Sequence, residues 1–316
     1  MKKRKTLIIS CILVSIVIVT QILEGYLSYA DNSQRVTNER TSDEVLINWL
    51  TEDKCYNLEK FKKKYRTEEI SIESSQGTHI IPATYIYAPD NEDRSSNTII
   101  MVHGLFGNRI SNYPVAEMFL EQGYNVVTYD QRSSGGNKAP YTTFGYLESK
   151  DLIDYVEYAS KQMSKDSVLG AWGQSFGAAT VENAMDEEPF LREVDFVILD
   201  CPMGDMSDAI HKKGFLSNIQ STFASGFFQL NLGFSYDDQS VYHQIAYTKI
   251  PVLVACSEKD EAFPLESVKY LYDNILSYKK DIFIVKNSAH SDIYFDYPEE
   301  YSNATAAFLE KYVTQE

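Results

Sequence analysis

Between residue 98 and the C-terminus, the sequence alternates short, continuous apolar runs with longer segments of helical character. Six such runs occur, at 98–103, 125–130, 168–172, 194–200, 250–256 and 281–285. Within them apolar residues do not alternate with polar ones, which is typical of strands covered on both faces in a parallel sheet. The regular alternation of strand and helix predicts right-handed βαβ crossovers. We therefore predict an α/β fold with a mostly parallel central sheet and helices on both faces.

The segment before this alternation adds a helix and two further strands. Ser42 is a candidate N-cap, and the apolar residues that follow it have helical spacing. Strands are predicted at 69–73 and 80–87. Pro82 lies in the second of these, and because proline lacks an amide proton it indicates an edge strand or a bulge.

One stretch is longer than a single crossover helix requires. Residues 203–249 lie between two core strands and are rich in phenylalanine. Long insertions are often functional, so a small helical lid over a binding site is one interpretation, and ordinary helix packing is the other. A lid of this composition would favour a substrate with an apolar portion.

The N-terminus has the organisation of a signal peptide or a membrane anchor. Four basic residues at positions 2–5 precede an uncharged apolar run, Leu7–Leu23. Its length falls between that of a signal-peptide core and that of a spanning helix. We predict an uncleaved anchor in the cell membrane with the rest of the chain extracytoplasmic, and the alternative is secretion after cleavage near Ala30. The predicted organisation is an anchor or signal peptide at 1–30, a tether and pre-core helix at 31–66 (loop-like at 31–40), and an α/β domain at 67–316.

The charge and the cysteines exclude several functions. The formal net charge is −16, so a basic patch that could bind nucleic acid or anionic lipid is not expected. The four cysteines are widely and irregularly spaced, which matches neither a disulfide framework nor a metal site. Zinc-protease, dinucleotide-binding and Walker motifs are absent from the sequence. We predict neither a metal nor a cofactor.

Residues 173–177 form the sequence Gly-Gln-Ser-Phe-Gly, with Ser175 at the centre. An apolar strand precedes this G-x-S-x-G pattern and a helical segment follows it. The pattern needs its glycines because the serine lies at a sharp strand-to-helix turn, where neighbouring side chains would clash. The turn also directs the hydroxyl towards the free N–H groups of a helix N-terminus. The context predicts Ser175 as a nucleophile.

A serine hydroxyl is a weak nucleophile and requires a base, which in this kind of turn comes later in the chain. His211, His243 and His290 follow Ser175. His290 comes just after the last apolar strand, at the carboxyl edge where ligands bind in open α/β sheets. His211 and His243 lie in the insertion and are interpreted as surface or lid residues. We predict His290 as the general base.

The acid that orients the base is expected at the end of the preceding strand. Asp260 follows the 250–256 run and lies between Ser175 and His290 in the chain. Glu258 and Glu261 are interpreted as carboxylates of a solvated loop. We predict Asp260, and the main alternative is Asp200, which ends the strand before.

Acyl transfer also requires two N–H donors for the developing oxyanion. One is the amide of the residue after the nucleophile, Phe176. The other comes from the loop after the third strand, where the sequence is His-Gly-Leu-Phe-Gly at 103–107. Leu105 is the predicted donor and Phe106 the alternative. His103 is interpreted as a structural residue that holds this loop.

Together these residues resemble the α/β-hydrolase superfamily, in particular its bacterial prolyl-oligopeptidase-like and esterase-like members. The sequence 130–137, Asp-Gln-Arg-Ser-Ser-Gly-Gly-Asn, is similar to the Asp-x-Arg-Gly-x-Gly turn of that group, except that Ser133 replaces a glycine. The resemblance covers about residues 67–314. It implies an α/β-hydrolase fold.

The resemblance implies a serine hydrolase that cleaves a carboxylic ester or an amide of a small-molecule or short acyl or peptidyl substrate. Peptide cleavage is less expected, since the sequence shows no β-propeller or other large gating domain. Acyl transfer to another acceptor by the same three residues is an alternative. A membrane-tethered binding protein that keeps the fold with an idle site is the alternative outside enzymes.

Overall fold

The computed structural model describes residues 2–36, 41–91, 93–203, 215–235, 238, 245 and 248–314. The contacts divide the chain into two units. The α/β unit comprises residues 39–204 and 241–316, and the helical unit comprises residues 1–38 and 205–240. The domain boundaries predicted at residues 30 and 66 stay predictions.

The described part of the α/β unit contains an eight-stranded sheet. In chain order its strands are β1 (Thr67–Glu73), β2 (Ile80–Ile86), β3 (Thr98–Val102), β4 (Asn125–Tyr129), β5 (Leu169–Gln174), β6 (Phe196–Asp200), β7 (Val252–Ser257) and β8 (Lys280–Val285). The spatial order is β1-β2-β4-β3-β5-β6-β7-β8. β2 is antiparallel to both its neighbours, and β4, β3, β5, β6, β7 and β8 are parallel. The predicted α/β fold and mostly parallel sheet are confirmed.

Helices cover both faces of this sheet. In chain order the helices of the described residues are α1 (Lys2–Val36), α2 (Asp43–Asn48), α3 (Leu58–Lys64), α4 (Tyr113–Glu121), α5 (Glu148–Ser160), α6 (Phe176–Ala184), α7 (Glu188–Glu193), α8 (Phe215–Leu232), α9 (Leu265–Asn274), α10 (Ile293–Asp296) and α11 (Pro298–Tyr312). A π-helical turn, Trp49–Asp53, extends α2, and a 3₁₀ turn, Arg109–Asn112, precedes α4. One buried cluster unites the sheet with α5, α6 and α9, and another unites it with α3, α4 and α11.

Two local predictions in the N-terminal part of the α/β unit have different outcomes. Ser42 is the N-cap of α2, since its hydroxyl accepts a hydrogen bond from the Val45 N–H. The edge position predicted from Pro82 is wrong, because β2 lies between β1 and β4. The proline is tolerated because the ladder to β4 begins at Ala83. The Pro82 carbonyl still accepts the N–H of Asp130.

The helical unit contains α1 and α8. α1 continues to Val36, so residues 31–36 are helical and the loop-like tether predicted there is wrong. The described part of the chain contains no helix that is both long and apolar enough to cross a membrane. The side chains of residues 2–14, which include the start of the Leu7–Leu23 run, lie outside that part, and so do His211 and His243. The membrane anchor and the lid stay predictions.

Candidate active site

Ser175 occupies the tight turn between β5 and α6. Its backbone has φ 54° and ψ −117°, a strained conformation that L-residues rarely adopt. The two flanking glycines permit this turn. A Cβ on Gly173 would lie 2.4 Å from the Gly177 carbonyl oxygen, and one on Gly177 would lie 2.1 Å from the Val102 carbonyl oxygen of β3. The turn therefore requires that Gly173 and Gly177, two residues to either side of Ser175, lack side chains.

The structure brings Ser175, His290 and Asp260 together. The Ser175 Oγ lies 2.7 Å from the His290 Nε2, and the His290 Nδ1 lies 2.7 Å from the Asp260 Oδ2. An ionised carboxylate only accepts hydrogen bonds, so the Nδ1–H donates to Asp260. In a neutral ring, Nε2 is then left to accept the proton of the Ser175 hydroxyl. This is the tautomer that a general base requires.

The loop after β7 holds Asp260 in its ionised form. Its Oδ1 accepts the N–H groups of Ala262 and Phe263 at 2.8 and 2.9 Å. Burial alone would raise the pKa of this carboxyl, but the hydrogen bonds from His290, Phe263 and Ala262 outweigh burial and lower the pKa. The Phe263 ring also packs edge-on against the imidazole, with centroids 5.2 Å apart. The imidazole is thus held on two sides.

Asp200, the alternative acid, makes other contacts. Its Oδ2 accepts hydrogen bonds from the Tyr301 hydroxyl at 3.2 Å and the Gln174 amide at 3.5 Å. The carboxylate that meets the His290 ring is that of Asp260. The strand order explains this, because His290 follows β8, and the neighbour of β8 in the sheet is β7.

The loop predicted to supply the second oxyanion donor lies close to Ser175. A Cβ built on Gly104 would be 3.6 Å from the Ser175 Cβ. His103 holds this loop: its Nε2 accepts the Gln131 N–H at 3.0 Å, so its Nδ1–H donates to the Gly104 carbonyl at 2.7 Å. Burial lowers the pKa of His103 and keeps the ring neutral. The structural role expected for His103 matches these contacts.

The amides of Phe176, Leu105 and Phe106 meet no hydrogen-bond acceptor within the described part of the chain. Phe176 begins α6, where such free N–H groups are usual. Phe106 has φ 63° and an exposed side chain. Both loop amides are therefore available for an oxyanion. Leu105 stays the predicted donor and Phe106 the alternative.

Comparison with known proteins identifies the fold that carries this geometry. A family model described as the alpha/beta hydrolase fold matches residues 97–238. Solved structures with this fold include the esterase Pf2001 of Pyrococcus furiosus, at 21% identity and a TM-score of 0.62, covering 81% of this chain and 96% of the esterase. The alpha/beta hydrolase GrgF from Penicillium sp. sh18 has 16% identity and a TM-score of 0.61, with 79% of this chain and 100% of GrgF covered. The chain has the α/β-hydrolase fold.

The chain also has a sequence relative in Bacillus subtilis (strain 168), the uncharacterized protein YqkD. The two are 26% identical over 282 residues, which cover 86% of this chain and 88% of YqkD. The match therefore includes most of both chains, although the name of the relative does not indicate an activity.

The turn after β4 supports the segment that follows β3, which it meets at Arg109. The Asp130 carboxylate accepts the backbone N–H and the guanidinium of Arg109, at 2.9 and 2.7 Å, and the Gly136 N–H at 2.7 Å. Ser133 has φ 56°, a left-handed backbone conformation that favours glycine, the residue that the resemblance led us to expect here. A Cβ on Gly135 would lie 2.5 Å from the Asp130 Oδ2. Ser133 thus adopts, with backbone strain, the conformation that a glycine would adopt freely.

Sequence reasoning missed Gln174 as a member of the site. Its amide donates to the Asp200 Oδ2 at 3.5 Å and to the Ser291 carbonyl at 3.2 Å. Ser291 has φ 65° and directly follows His290. The glutamine therefore joins the nucleophile turn to the turn that carries the base. Its position beside Ser175 in the G-x-S-x-G pattern was the one available signal.

Cys201 also lies beside Asp260 and His290. Its Sγ and single ligand atoms of Asp260 and His290 all lie within 4.8 Å of one another. Asp260 and His290 are already hydrogen-bonded to each other, and a metal would have to break that contact. Burial raises the pKa of the Cys201 thiol well above its usual value, which disfavours the thiolate that metals bind. This donor set does not fit a metal site.

Replacing Asp200 by asparagine is expected to stabilise the protein at neutral pH. Burial raises the pKa of Asp200 from 3.8 to about 6, so the folded chain holds this proton more tightly than the unfolded chain. The free energy of unfolding due to this carboxyl therefore falls as the pH rises from 3.8 to about 6. An asparagine at this position would avoid that loss, a gain of at most about 2 to 3 kcal/mol.

Urea unfolding of the wild type and of Asp200→Asn at two pH values measures this effect. The stabilisation should be full at a pH above about 6 and should disappear near the ordinary aspartate pKa of 3.8. A difference between the two proteins that is independent of pH would contradict the assignment of a raised pKa to Asp200.

Proposed function

We propose that the chain is a serine hydrolase that cleaves a carboxylic ester through Ser175, His290 and Asp260. The observation that carries this proposal is the 2.7 Å contact between the Ser175 Oγ and the His290 Nε2. It lies within the range that proton transfer to a general base requires. The esterases among the solved structures with the same fold give the proposal its reaction class.

Acylation begins when the Ser175 Oγ attacks the ester carbonyl carbon and His290 Nε2 accepts the hydroxyl proton. The tetrahedral oxyanion is held by the N–H groups of Phe176 and Leu105 and by the N-terminus of α6. His290 then gives its proton to the alkoxide oxygen as the carbon–oxygen bond breaks. The alcohol leaves, and an acyl-enzyme on Ser175 remains.

Deacylation repeats the same proton transfers with water as nucleophile. His290 takes a proton from water, the hydroxide attacks the acyl carbon, and the proton returns to the Ser175 Oγ as the carboxylic acid departs. Asp260 keeps the imidazole in one tautomer and stabilises the imidazolium that forms in both steps. Each cycle consumes one water and regenerates the free serine.

Ser175 is 8% exposed, so a substrate must enter a recess at the end of β5 to reach the hydroxyl. Cleavage of peptides, acyl transfer to an alcohol, and an idle site in a binding protein are the competing functions. For the location we propose the N-terminal anchor, with the active site outside the cytoplasm. Secretion after cleavage near Ala30 is the alternative.

Activity profiling of the full chain tests the proposed reaction. We expect turnover of p-nitrophenyl esters over a range of acyl-chain lengths, and slower or no release of amine from aminoacyl arylamides. Analysis of the products in the presence of an alcohol acceptor measures acyl transfer. Preferential cleavage of the arylamides would indicate a peptidase. Absence of turnover, with no labelling by a fluorophosphonate, would favour a binding protein.

A further inference from the structure

Two phenylalanines near Ser175 have a backbone conformation that L-residues avoid. Phe106 has φ 63° and Phe144 has φ 53°. Left-handed φ values are rare for bulky side chains, and strained residues of this kind are concentrated at active sites and ligand contacts. Each of these phenylalanines belongs to a short segment that is fixed by its own hydrogen bonds. The structure therefore holds both rings in place against the preference of their backbone.

Phe106 lies at the tip of the loop after β3. The Gly107 N–H donates to the Gly104 carbonyl at 3.1 Å, which makes residues 104–107 a β-turn with Phe106 at its third position. A turn with a positive φ at the third position normally has glycine there. The Phe106 side chain is nevertheless 57% exposed. In the same turn, a Cβ on Gly104 would lie 3.6 Å from the Ser175 Cβ. The turn itself does not require an exposed ring at this place beside the nucleophile.

Phe144 lies in the segment between β4 and α5, which a buried carboxylate fixes. Glu148 is fully buried. Its two oxygens accept four hydrogen bonds of 2.7 to 3.0 Å, from the Thr142 hydroxyl, the Thr143 hydroxyl and N–H, and the Gly145 N–H. Hydrogen bonds to an ionised carboxylate are among the strong ones. Since the donors lie on both sides of Phe144 in the chain, they determine the backbone conformation at this residue.

The same segment packs directly on α6, the helix that follows the nucleophile. A Cβ on Gly145 would lie 2.9 Å from the Ala179 carbonyl oxygen. The Phe144 ring meets the Phe176 ring edge-on, with centroids 6.2 Å apart. Phe176 directly follows Ser175 and is 2% exposed. Phe144 is only half-buried, so part of its ring surface remains open beside this predicted oxyanion donor.

The arrangement of groups around the reacting carbon relates these rings to one part of an ester. The leaving oxygen must face the His290 Nε2, which protonates it, and the oxyanion must face the Phe176 N–H. The acyl chain therefore extends away from the imidazole, towards the segments that supply the oxyanion donors. Phe106 belongs to one of these segments, and Phe144 packs on the other. The Phe263 ring, 5.2 Å from the imidazole, flanks the alcohol side instead.

We propose that Phe106 and Phe144 contact the acyl group of the substrate and select acyl groups that carry an aromatic ring. Aromatic rings pack edge-on or offset against each other, and Phe144 already meets Phe176 in this way. A ring on the acyl group would cover apolar surface of both phenylalanines and remove it from water. This inference rests on the proposed ester hydrolysis and names the class of ester on which the site acts.

Kinetics with two matched esters test the proposal on the full chain. p-Nitrophenyl 3-phenylpropanoate and p-nitrophenyl propanoate share the leaving group and differ in the terminal ring. We expect the wild type to have the higher kcat/KM for the phenylpropanoate. In Phe144→Ala, and in Phe106→Gly, which keeps the backbone N–H, the ratio of the two kcat/KM values should fall by about 10-fold, because the lost ring contacts only the larger acyl group.

The matched control is Phe283→Ala. Phe283 is also half-buried, and its ring meets the Tyr301 ring edge-on at 6.1 Å, but it lies on β8 at the edge of the sheet. The ratio of the two kcat/KM values should equal that of the wild type. A second variant, Phe144→Gly, removes the ring without the strain that alanine has at φ 53°, because glycine adopts this φ freely. It should have the same ratio as Phe144→Ala.

Other results would overturn the proposal in distinguishable ways. An equal fall in kcat/KM for both esters would assign Phe144 a structural role only, and an unchanged ratio would mean that its ring does not contact the substrate. A fall confined to the ratio between benzyl acetate and ethyl acetate would place the contact on the alcohol side. Equal hydrolysis of both p-nitrophenyl esters by the wild type would overturn the aromatic selectivity alone, whereas hydrolysis of neither would also overturn the proposed function.

Discussion

Replacing Ser175 by alanine is expected to lower kcat/KM for a short-chain aryl ester by about 10⁵-fold, and to abolish labelling by a fluorophosphonate. The variant removes the atom that forms the acyl-enzyme and leaves the oxyanion donors in place, so a small residual rate above that in water is expected. Steady-state hydrolysis and mass spectrometry of the labelled protein measure the two effects.

Ser133→Ala is a matched control for this experiment. Ser133 is a nearly buried serine with φ 56°, close to the φ of 54° at Ser175, but it belongs to the turn after β4. The activity of Ser133→Ala should stay within a few-fold of wild type.

The double variant Ser175→Ala/His290→Ala should have nearly the same kcat/KM as Ser175→Ala alone, because the effects of residues that act as one unit are not additive. Persistent labelling of Ser175→Ala would assign the nucleophile to another residue.

The centre of the sheet could be predicted from the sequence because its strands are buried on both faces. All eight predicted strands are present, and their bounds differ by at most a few residues from those expected. The continuous apolar runs at β3, β4 and β6 are fully buried, which is the environment that such runs require. The position of β2 inside the sheet was not predicted from Pro82. The residue at which a ladder begins depends on the neighbouring strand, here β4.

The acid could not be decided from local sequence alone. Asp200 and Asp260 both follow buried apolar strands, β6 and β7, and both are nearly or fully buried. What separates them is the spatial order of the strands, which places β7 and not β6 beside β8 and so beside His290. Chain order suggested Asp260, and the geometry brings Asp260 to the imidazole.

Other features depend on contacts between distant residues. The role of Gln174 requires knowing that Ser291 and Asp200 are its neighbours. The pairing of α1 with α8, where Gly25 lies against Phe223, joins segments almost 200 residues apart, and in sequence this glycine is only one small residue near the end of an apolar run. No periodicity within either segment encodes such a contact.

Replacing Asp260 by asparagine is expected to lower kcat by about 10⁴-fold, with a smaller effect on KM. Asparagine can present its amide N–H to the His290 Nδ1, now 2.7 Å from the Oδ2 of Asp260. That contact favours the tautomer with the proton on Nε2, which faces Ser175 and can then no longer accept its proton. The charge that stabilises the imidazolium is lost as well. Steady-state kinetics with a soluble aryl ester measure the effect.

Asp200→Asn is the matched control, because it makes the same change at the neighbouring strand end. Asp200 contacts Tyr301 and Gln174, and an asparagine oxygen can still accept both hydrogen bonds. We therefore expect kcat of Asp200→Asn to stay within about 10-fold of wild type, since the triad keeps its carboxylate. If Asp200→Asn instead lowered kcat by about 10⁴-fold while Asp260→Asn remained active, the orienting acid would be Asp200. The 2.7 Å contact between His290 and Asp260 would then have no part in the reaction.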